Sequence, residues 1–252
     1  MAGLMTGAIA TGGLTFDVEL MDIEQLNVRL SRGDFDVAKT SFAAAARLTD
    51  RVVLPVGSAL GFGVGPLLLS NVDEVTPGPS AGEVLCPGDG TTATLLLRHF
   101  YPDAGPIRQV VFSDIMPSLH RGEGTFGVCI HEGRFTYRES SLYLVEDLGH
   151  RWEQTYHCPL PLGGLVARQD LRSGPTAAVV DVIRRSLHWA LEQPERAVPT
   201  MQQYAQEMDR DVMMKHVDLY VNEWTVALGD VGRGAIERLF AVAGGRPVFA
   251  GS

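Results

Sequence analysis

The sequence predicts a two-lobed α/β protein with a central cleft, and three observations predict it. Strand-like and helix-like patterns alternate from residue 14 to residue 158, as crossover units require. Asn71 to Gly82 gathers Asp, Glu, two Pro, two Gly and Ser, the clearest linker in the chain. Leu160 to Arg168 returns through a second Gly/Pro-rich passage into a helical C-terminal part. One crossing out and one back define a discontinuous first lobe, residues 1–76 and 162–252, around an inserted lobe, 83–158, with crossovers at 77–82 and 159–161.

The first lobe opens with Leu14-Thr-Phe-Asp-Val-Glu-Leu20, whose alternation of apolar and polar residues predicts a strand. Apolar residues at 23, 26 and 30 then make a helical stripe, with Asp22 as N-cap and Gly33 just past the end. Phe35 to Ser41 reads as the next strand and Phe42 to Leu48, rich in alanine, as a helix. Ser41 sits at that junction, where free N–H groups and the helix dipole suit either an N-cap or an anionic ligand. Four glycines between Gly57 and Gly65 suggest tight turns, but no helix pattern follows, so a phosphate loop is excluded; Leu67 to Ser70 continues as strand.

The inserted lobe begins with strand Glu83 to Cys86, a turn Pro87 to Gly90, and a helix from Thr91 to Arg98. Thr91 and Thr92 open that helix, as caps or as donors to a carboxylate or phosphate. Gln109 to Phe112 is the next strand, Asp114 to Arg121 a short helix with Met116 and Leu119 inward, and Phe126 to Ile130 a strand buried on both faces. His131 ends that strand. Ligands of open α/β sheets bind outside the carboxyl ends of strands, so this imidazole is either a substrate-facing group or an ordinary structural histidine. Leu142 to Val145 adds a strand and Asp147 to Gln154 a helix. Beyond Pro175, apolar residues at 179, 182, 183, 187 and 191 form a helical stripe that Pro194 ends, and Gln202 to Met208, Val212 to Val221 and Val231 to Val242 give further helical periods. Alternating strands and helices predict parallel sheets. Two lobes joined by two crossings are the architecture of the periplasmic-binding type, with hinge closure as the expected motion.

A net charge of -9 over 252 residues, with no run of Lys or Arg, argues against nucleic-acid and anionic-membrane partners and for a small-molecule substrate. Cys86, Cys129 and Cys158 lack paired spacing, so they read as buried thiols in a reducing cytoplasmic setting, with no metal site. The first residues carry no secretory signal pattern, and no stretch approaches a membrane span of roughly 20 apolar residues. A homo-oligomer is left open.

Several motifs then occur in a specific order: Lys39-Thr-Ser-Phe42, Ser58-Ala-Leu-Gly-Phe-Gly-Val-Gly-Pro66, Pro87-Gly-Asp-Gly-Thr-Thr-Ala93, Ile130-His-Glu-Gly-Arg-Phe-Thr-Tyr137, Asp147-Leu-Gly-His-Arg-Trp-Glu153, Pro159-Leu-Pro-Leu-Gly163 and His216-Val-Asp-Leu-Tyr-Val-Asn222. Together the set resembles the 1,4-dihydroxy-6-naphthoate synthases of the futalosine route to menaquinone, over nearly the whole chain. The resemblance implies a type 2 periplasmic-binding-protein-like fold, no cofactor and no metal, and conversion of cyclic dehypoxanthine futalosine to the naphthoate by a carbon–carbon lyase. It implies His131 as catalytic base, with Ser41, Thr91 and Thr92 holding substrate oxygens. Lys39 supplies either a positive charge to the substrate or a buried ion pair. Glu132 is read as a supporting group, Arg134 as an inter-lobe ion pair or a substrate contact, and His216, Tyr220 and Asn222 as packing groups of one helix.

The pattern departs from the family in two respects, the smaller being Ala45, where an aromatic residue is common in relatives. Relatives open with a strand and a Ser-Pro-Cys-Pro-Asn-Asp-Thr segment that this sequence does not contain, so a gap in the first sheet is expected. The alternatives are chorismate dehydratase of the same pathway, which is not expected to keep the Ile-His-Glu motif, and a non-catalytic solute-binding protein.

Overall fold

Strand pairing organises the protein around Leu160–Arg168, a segment that reads in the sequence as a connection. The computed structural model describes residues 1–130, 133–204, 214 and 217–251. The strands are β1 Val37–Ser41, β2 Arg51–Val53, β3 Ala59–Gly61, β4 Leu67–Ser70, β5 Val84–Cys86, β6 Ile107–Gln109, β7 Phe126–Cys129, β8 Tyr143–Asp147 and β9 Leu160–Arg168. The helices are α1 Ala2–Met5, α2 Ile23–Ser31, α3 Phe42–Ala45, α4 Thr92–Phe100, α5 Ile115–His120, α6 Gly133–Thr136, α7 Leu148–Tyr156, α8 Thr176–Glu192, α9 Pro194–Tyr204, α10 Glu223–Val226 and α11 Gly229–Val242.

Local chemistry sets most of these limits. Asp22 accepts from the Glu24 and Gln25 N–H groups at the start of α2. Thr91 accepts from Thr94 N–H at the start of α4, and Asp147 from His150 N–H at the start of α7. Each cap satisfies a donor that the first helical turn leaves free. Pro194, expected only to end α8, also opens α9, where its missing N–H loses no helical bond.

The first sheet has the order β1-β9-β2, with β3 also on β9. Every pairing in it is antiparallel, with Ser41 opposite Gly163, Val52 opposite Ala167 and Ala59 opposite Gly163. The second sheet has the order β6-β5-β7-β4-β8; β5 is parallel to β6 and β7, whereas β4 is antiparallel to β7 and β8. Parallel sheets were expected throughout. The antiparallel pairings arise where the chain crosses from one sheet to the other: β4 enters the second sheet straight from β3 of the first, and β9 enters the first from α7 and β8 of the second, so neither closes a crossover within its own sheet. Leu67–Ser70, which the sequence reading left in the first lobe, is hydrogen-bonded into the second sheet.

One buried cluster runs through both sheets, with Val53, Leu60 and Val166 of the first joined to Leu68, Val84, Phe126 and Val128 of the second through Phe42, Leu96 and Trp152. Leu67, Leu69 and Leu85 point to the other face of the second sheet, where α5 covers them with Ile115 and Leu119. α8 covers the first sheet with Val179, Val180 and Ile183 on Val52, Leu54 and Ala167.

Three expectations fail for stated reasons. Leu14 to Leu20 forms no strand. Leu14 and Phe16 pack against the α8 cluster, but Val18 and Leu20 stay 40% and 50% exposed, because among the described residues no strand pairs with this stretch. β1 correspondingly pairs only with β9. The strand expected at Gln109 to Phe112 lies earlier, at Ile107–Gln109, and Phe112–Asp114 is a 3₁₀ turn. β9 escaped prediction because Pro161, Gly163 and Gly164 are poor strand formers; Gly164 is nevertheless required, since a Cβ there would lie 2.6 Å from Phe42 Cζ and 2.8 Å from Ser58 Oγ. The helical periods at Gln202 to Met208 and Val212 to Val221 fall largely outside the described residues.

Among the described residues, no helix is long and apolar enough to cross a membrane.

Candidate functional site

Ser41 and Thr92 meet where the two sheets approach one another. Ser41 ends β1 and caps α3, accepting from Ala43 N–H at 3.3 Å. Its Oγ lies 3.1 Å from Thr92 Oγ1, which donates to Leu162 O at 2.9 Å. One proton arrangement satisfies the whole chain: Ser41 donates to Thr92 and Thr92 donates to β9. Both residues are buried.

Asn27 fixes this junction from α2. Its Oδ1 accepts from Thr40 Oγ1 at 2.8 Å and from Ser41 N–H at 3.1 Å. Its Nδ2 donates to Glu24 Oε2 at 3.0 Å and to Gly90 O at 3.5 Å, and Gly90 N–H donates to Glu24 Oε1 at 3.4 Å. The Pro87–Gly90 turn can come this close only because Gly88 has no side chain; a Cβ there would lie 2.6 Å from Glu24 Cδ. Sequence reasoning missed Glu24 and Asn27, which read as ordinary polar positions of an amphipathic helix.

The other expected residues are placed as follows. Thr91 donates its hydroxyl to Gly88 O at 2.8 Å and caps α4, so in this structure it serves the helix rather than facing Ser41. Lys39 lies two residues before Ser41 on the same face of β1 and makes no ion pair among the described residues. Its side chain keeps contact with solvent, yet enough protein surrounds the ammonium that burial lowers its pKa. Its exposure to solvent limits that lowering. Ser58, also missed, is 1% exposed and its Oγ has no hydrogen-bond partner among the described residues. It precedes β3 and abuts Gly164, on the side of β9 opposite Ser41. A buried hydroxyl left unpaired costs about 1–3 kcal/mol, which favours a ligand that would accept from it.

His131 and Glu132 lie outside the described residues, as does His216. The chain leaves β7 at Ile130 and resumes at Gly133. Because β7 is parallel to β5, Ile130 emerges at the same edge of the second sheet as the Pro87–Thr91 turn. Arg134 donates to Gly65 O at 3.1 Å and to Asp147 Oδ2 at 2.6 Å, an ion pair that ties the segment after β7 to the crossing between the sheets. Asn222 lies beyond the helix that carries Tyr220, where it was expected to pack; it caps α10 and donates to Leu60 O at 2.7 Å. Among the described residues no group of three or more His, Cys, Asp or Glu could hold a metal ion. Cys86 and Cys129 are buried, and burial pushes both thiols up to about 12.

Arg47 of the turn after α3 reaches Asp89 Oδ2 at 2.7 Å, and Arg98 reaches Asp89 Oδ1 at 2.7 Å. Arg47, with Arg98 assisting, holds the Asp89 carboxyl below the usual range. Because the folded pKa is the lower one, the stabilisation is present above the unfolded value of about 3.9 and is lost as pH falls through the folded value. An Asp89→Asn variant is therefore expected to melt slightly below the parent at neutral pH, the effect being small for a half-exposed pair. Melting curves taken from pH 7 downwards should show that gap closing in the acid range; a gap independent of pH would contradict the assignment.

Comparison with known proteins follows the same outline. A family model described as "Menaquinone biosynthesis" matches residues 2–244. A curated protein of Streptomyces coelicolor named 1,4-dihydroxy-6-naphtoate synthase is 38% identical over 238 residues, covering 92% of this chain and 84% of its own. A protein of Thermus thermophilus with the same name is 40% identical, covering 92% and 85%. Among solved structures, protein AF1704 from Archaeoglobus fulgidus superposes with a TM-score of 0.88 at 28% identity, covering 96% of this chain and 90% of that one. The ligand-binding component of an ABC-type import system from Staphylococcus aureus superposes with a TM-score of 0.65 at 13% identity, covering 98% and 90%. At that identity the likeness is one of fold, and the fold is periplasmic-binding-protein-like.

Proposed function

The chain belongs to the menaquinone biosynthesis family, and we propose that it converts cyclic dehypoxanthine futalosine to 1,4-dihydroxy-6-naphthoate, with His131 as general base. The observation that carries this reading is the Ser41–Thr92 contact between the sheets, beside the turn after β5, a strand parallel to the β7 that leads towards His131. We read the two sheets as two lobes that close on substrate, held together here by the Ser41–Thr92, Glu24–Gly90 and Arg47–Asp89 contacts.

The chemistry asks for a base beside a substrate held by its oxygens. Cleaving a carbon framework next to a ketone requires removing a weakly acidic proton. A neutral imidazole with a pKa of about 6.5 accepts it at cellular pH. Ser41 and Thr92 exchange their mutual bond for substrate oxygens, Ser58 supplies a further hydroxyl, and the N-terminus of α4 favours a carboxylate. Lys39, two residues before Ser41 on β1, adds positive charge.

Two experiments test this. Incubating the protein separately with cyclic dehypoxanthine futalosine and with chorismate should give the naphthoate from the first and no dehydration product from the second. The reverse outcome assigns the sister reaction, and binding without turnover assigns a solute-binding protein. Thr92→Val keeps the shape and removes one hydroxyl, so KM is expected to rise about 2- to 10-fold, the worth of one neutral hydrogen bond. Steady-state kinetics with an unchanged KM would remove Thr92 from the substrate site.

A further inference from the structure

We propose a second ligand site, for a small monocarboxylate with an aromatic or branched apolar body, in a cavity of about 490 Å³ behind the first sheet. It is a partly open recess bordered by α3 and the turn after it, β2, β9, and the end of α11 with the loop that follows, and no residue of the second sheet lines it. This inference is independent of the function proposed above.

Charge points to an anion. The lining contains three arginines, Arg47, Arg51 and Arg246, and no Asp or Glu, in a chain whose net charge is -9. Arg47 is already engaged by Asp89, and Arg246 makes no ion pair among the described residues. Arg51 is the anchor. Its side chain is 4% exposed, and its only ionic partner among the described residues, Asp50, is 68% exposed and so largely spent on water. Arg51 Nη2 donates to Leu30 O at a marginal 3.4 Å, and Nε has no hydrogen-bond partner among the described residues. A guanidinium cannot escape burial by losing its proton, so a vacant N–H on it is best answered by an oxyanion. An aqueous phosphate would answer the charge alone. The rest of the wall argues for more, because Val53, Val166, Ala45 and Phe240 present a buried apolar floor. The volume lies within the range of small-molecule pockets, roughly 300–1,000 Å³. The last carbonyls of α11 do not compete for the arginines, since Ala241 O and Phe240 O accept from Gly244 and Gly245 N–H.

The test uses 4-phenylbutyrate as probe, with 4-phenylbutanol and inorganic phosphate as controls, on the full chain by calorimetry. Saturable binding of 4-phenylbutyrate is expected, at least about tenfold tighter than either control, as losing one charge-assisted pair or the apolar contact implies. Arg51→Met should lose the binding by a similar factor, while Thr92→Val, which alters the junction between the sheets, should leave it unchanged. Hydrogen exchange on the unmodified protein gives a readout that does not depend on the variant folding: the probe should protect 45–51 and 243–248. Equal affinity in the parent and Arg51→Met, protection confined to 39–41 and 88–92, or no saturable binding at millimolar probe would each overturn the proposal.

Discussion

His131→Ala is expected to lower the turnover rate by about 100- to 10,000-fold, the usual worth of a positioned general base. Its melting temperature should stay close to that of the parent if the loss is one of chemistry and not of folding. The sign of the pH effect is fixed by the role. A base must be unprotonated, so the parent's rate should fall as pH is lowered through its titration, and that acid limb should vanish from the residual activity of the variant. Exogenous imidazole should restore part of the rate, since the variant leaves a hole where the base stood. A rate within a few-fold of the parent, or a loss matched by unfolding, would take the chemistry away from this residue.

Trp152→Ala carries the largest expected effect on stability. Trp152 is fully buried in the cluster that spans both sheets, packs against Tyr156 with ring centroids 4.4 Å apart and planes tilted by 50°, and donates its indole N–H to Pro159 O at 3.3 Å. It thereby ties α7 of the second sheet to the first residues before β9. Truncating a buried Trp to Ala removes apolar contact and leaves a cavity, at a loss of about 3–5 kcal/mol. For a chain of this size that lowers the melting temperature by roughly 6–20 °C, at about 2–4 °C per kcal/mol. Trp152→Phe keeps most of the volume and should recover most of the loss. Calorimetric scans in which both variants melt with the parent would show that the core does not depend on this ring.

The sequence disclosed the helices better than the sheets, for physical reasons that particular residues show. Asp22, Thr91 and Asp147 are caps whose chemistry is local, and each stands where the spacing puts it. β7 was legible because Phe126 to Cys129 is buried on both faces. β9 was not, because Pro161 and the Gly163–Gly164 pair hide a strand whose reason lies in its neighbours: Gly164 makes room for Phe42 and Ser58. Leu14 to Leu20 has a strand's alternation but no partner, and a pattern without a partner is not a strand. At the site, the meeting of Ser41 with Thr92 followed from two junctions that the sequence marked. The supports of Asn27 and Glu24 and the unpaired hydroxyl of Ser58 depend on distant backbone, and no local signal announces them.

The central claim is that the protein is a catalyst of the naphthoate-forming step. A single-turnover reaction, with purified protein in excess over cyclic dehypoxanthine futalosine and the naphthoate followed by its fluorescence, tests it most directly. The account predicts conversion of the bound substrate to 1,4-dihydroxy-6-naphthoate in one exponential phase, and its loss in His131→Ala. Substrate recovered unchanged from a protein that binds it would contradict the claim.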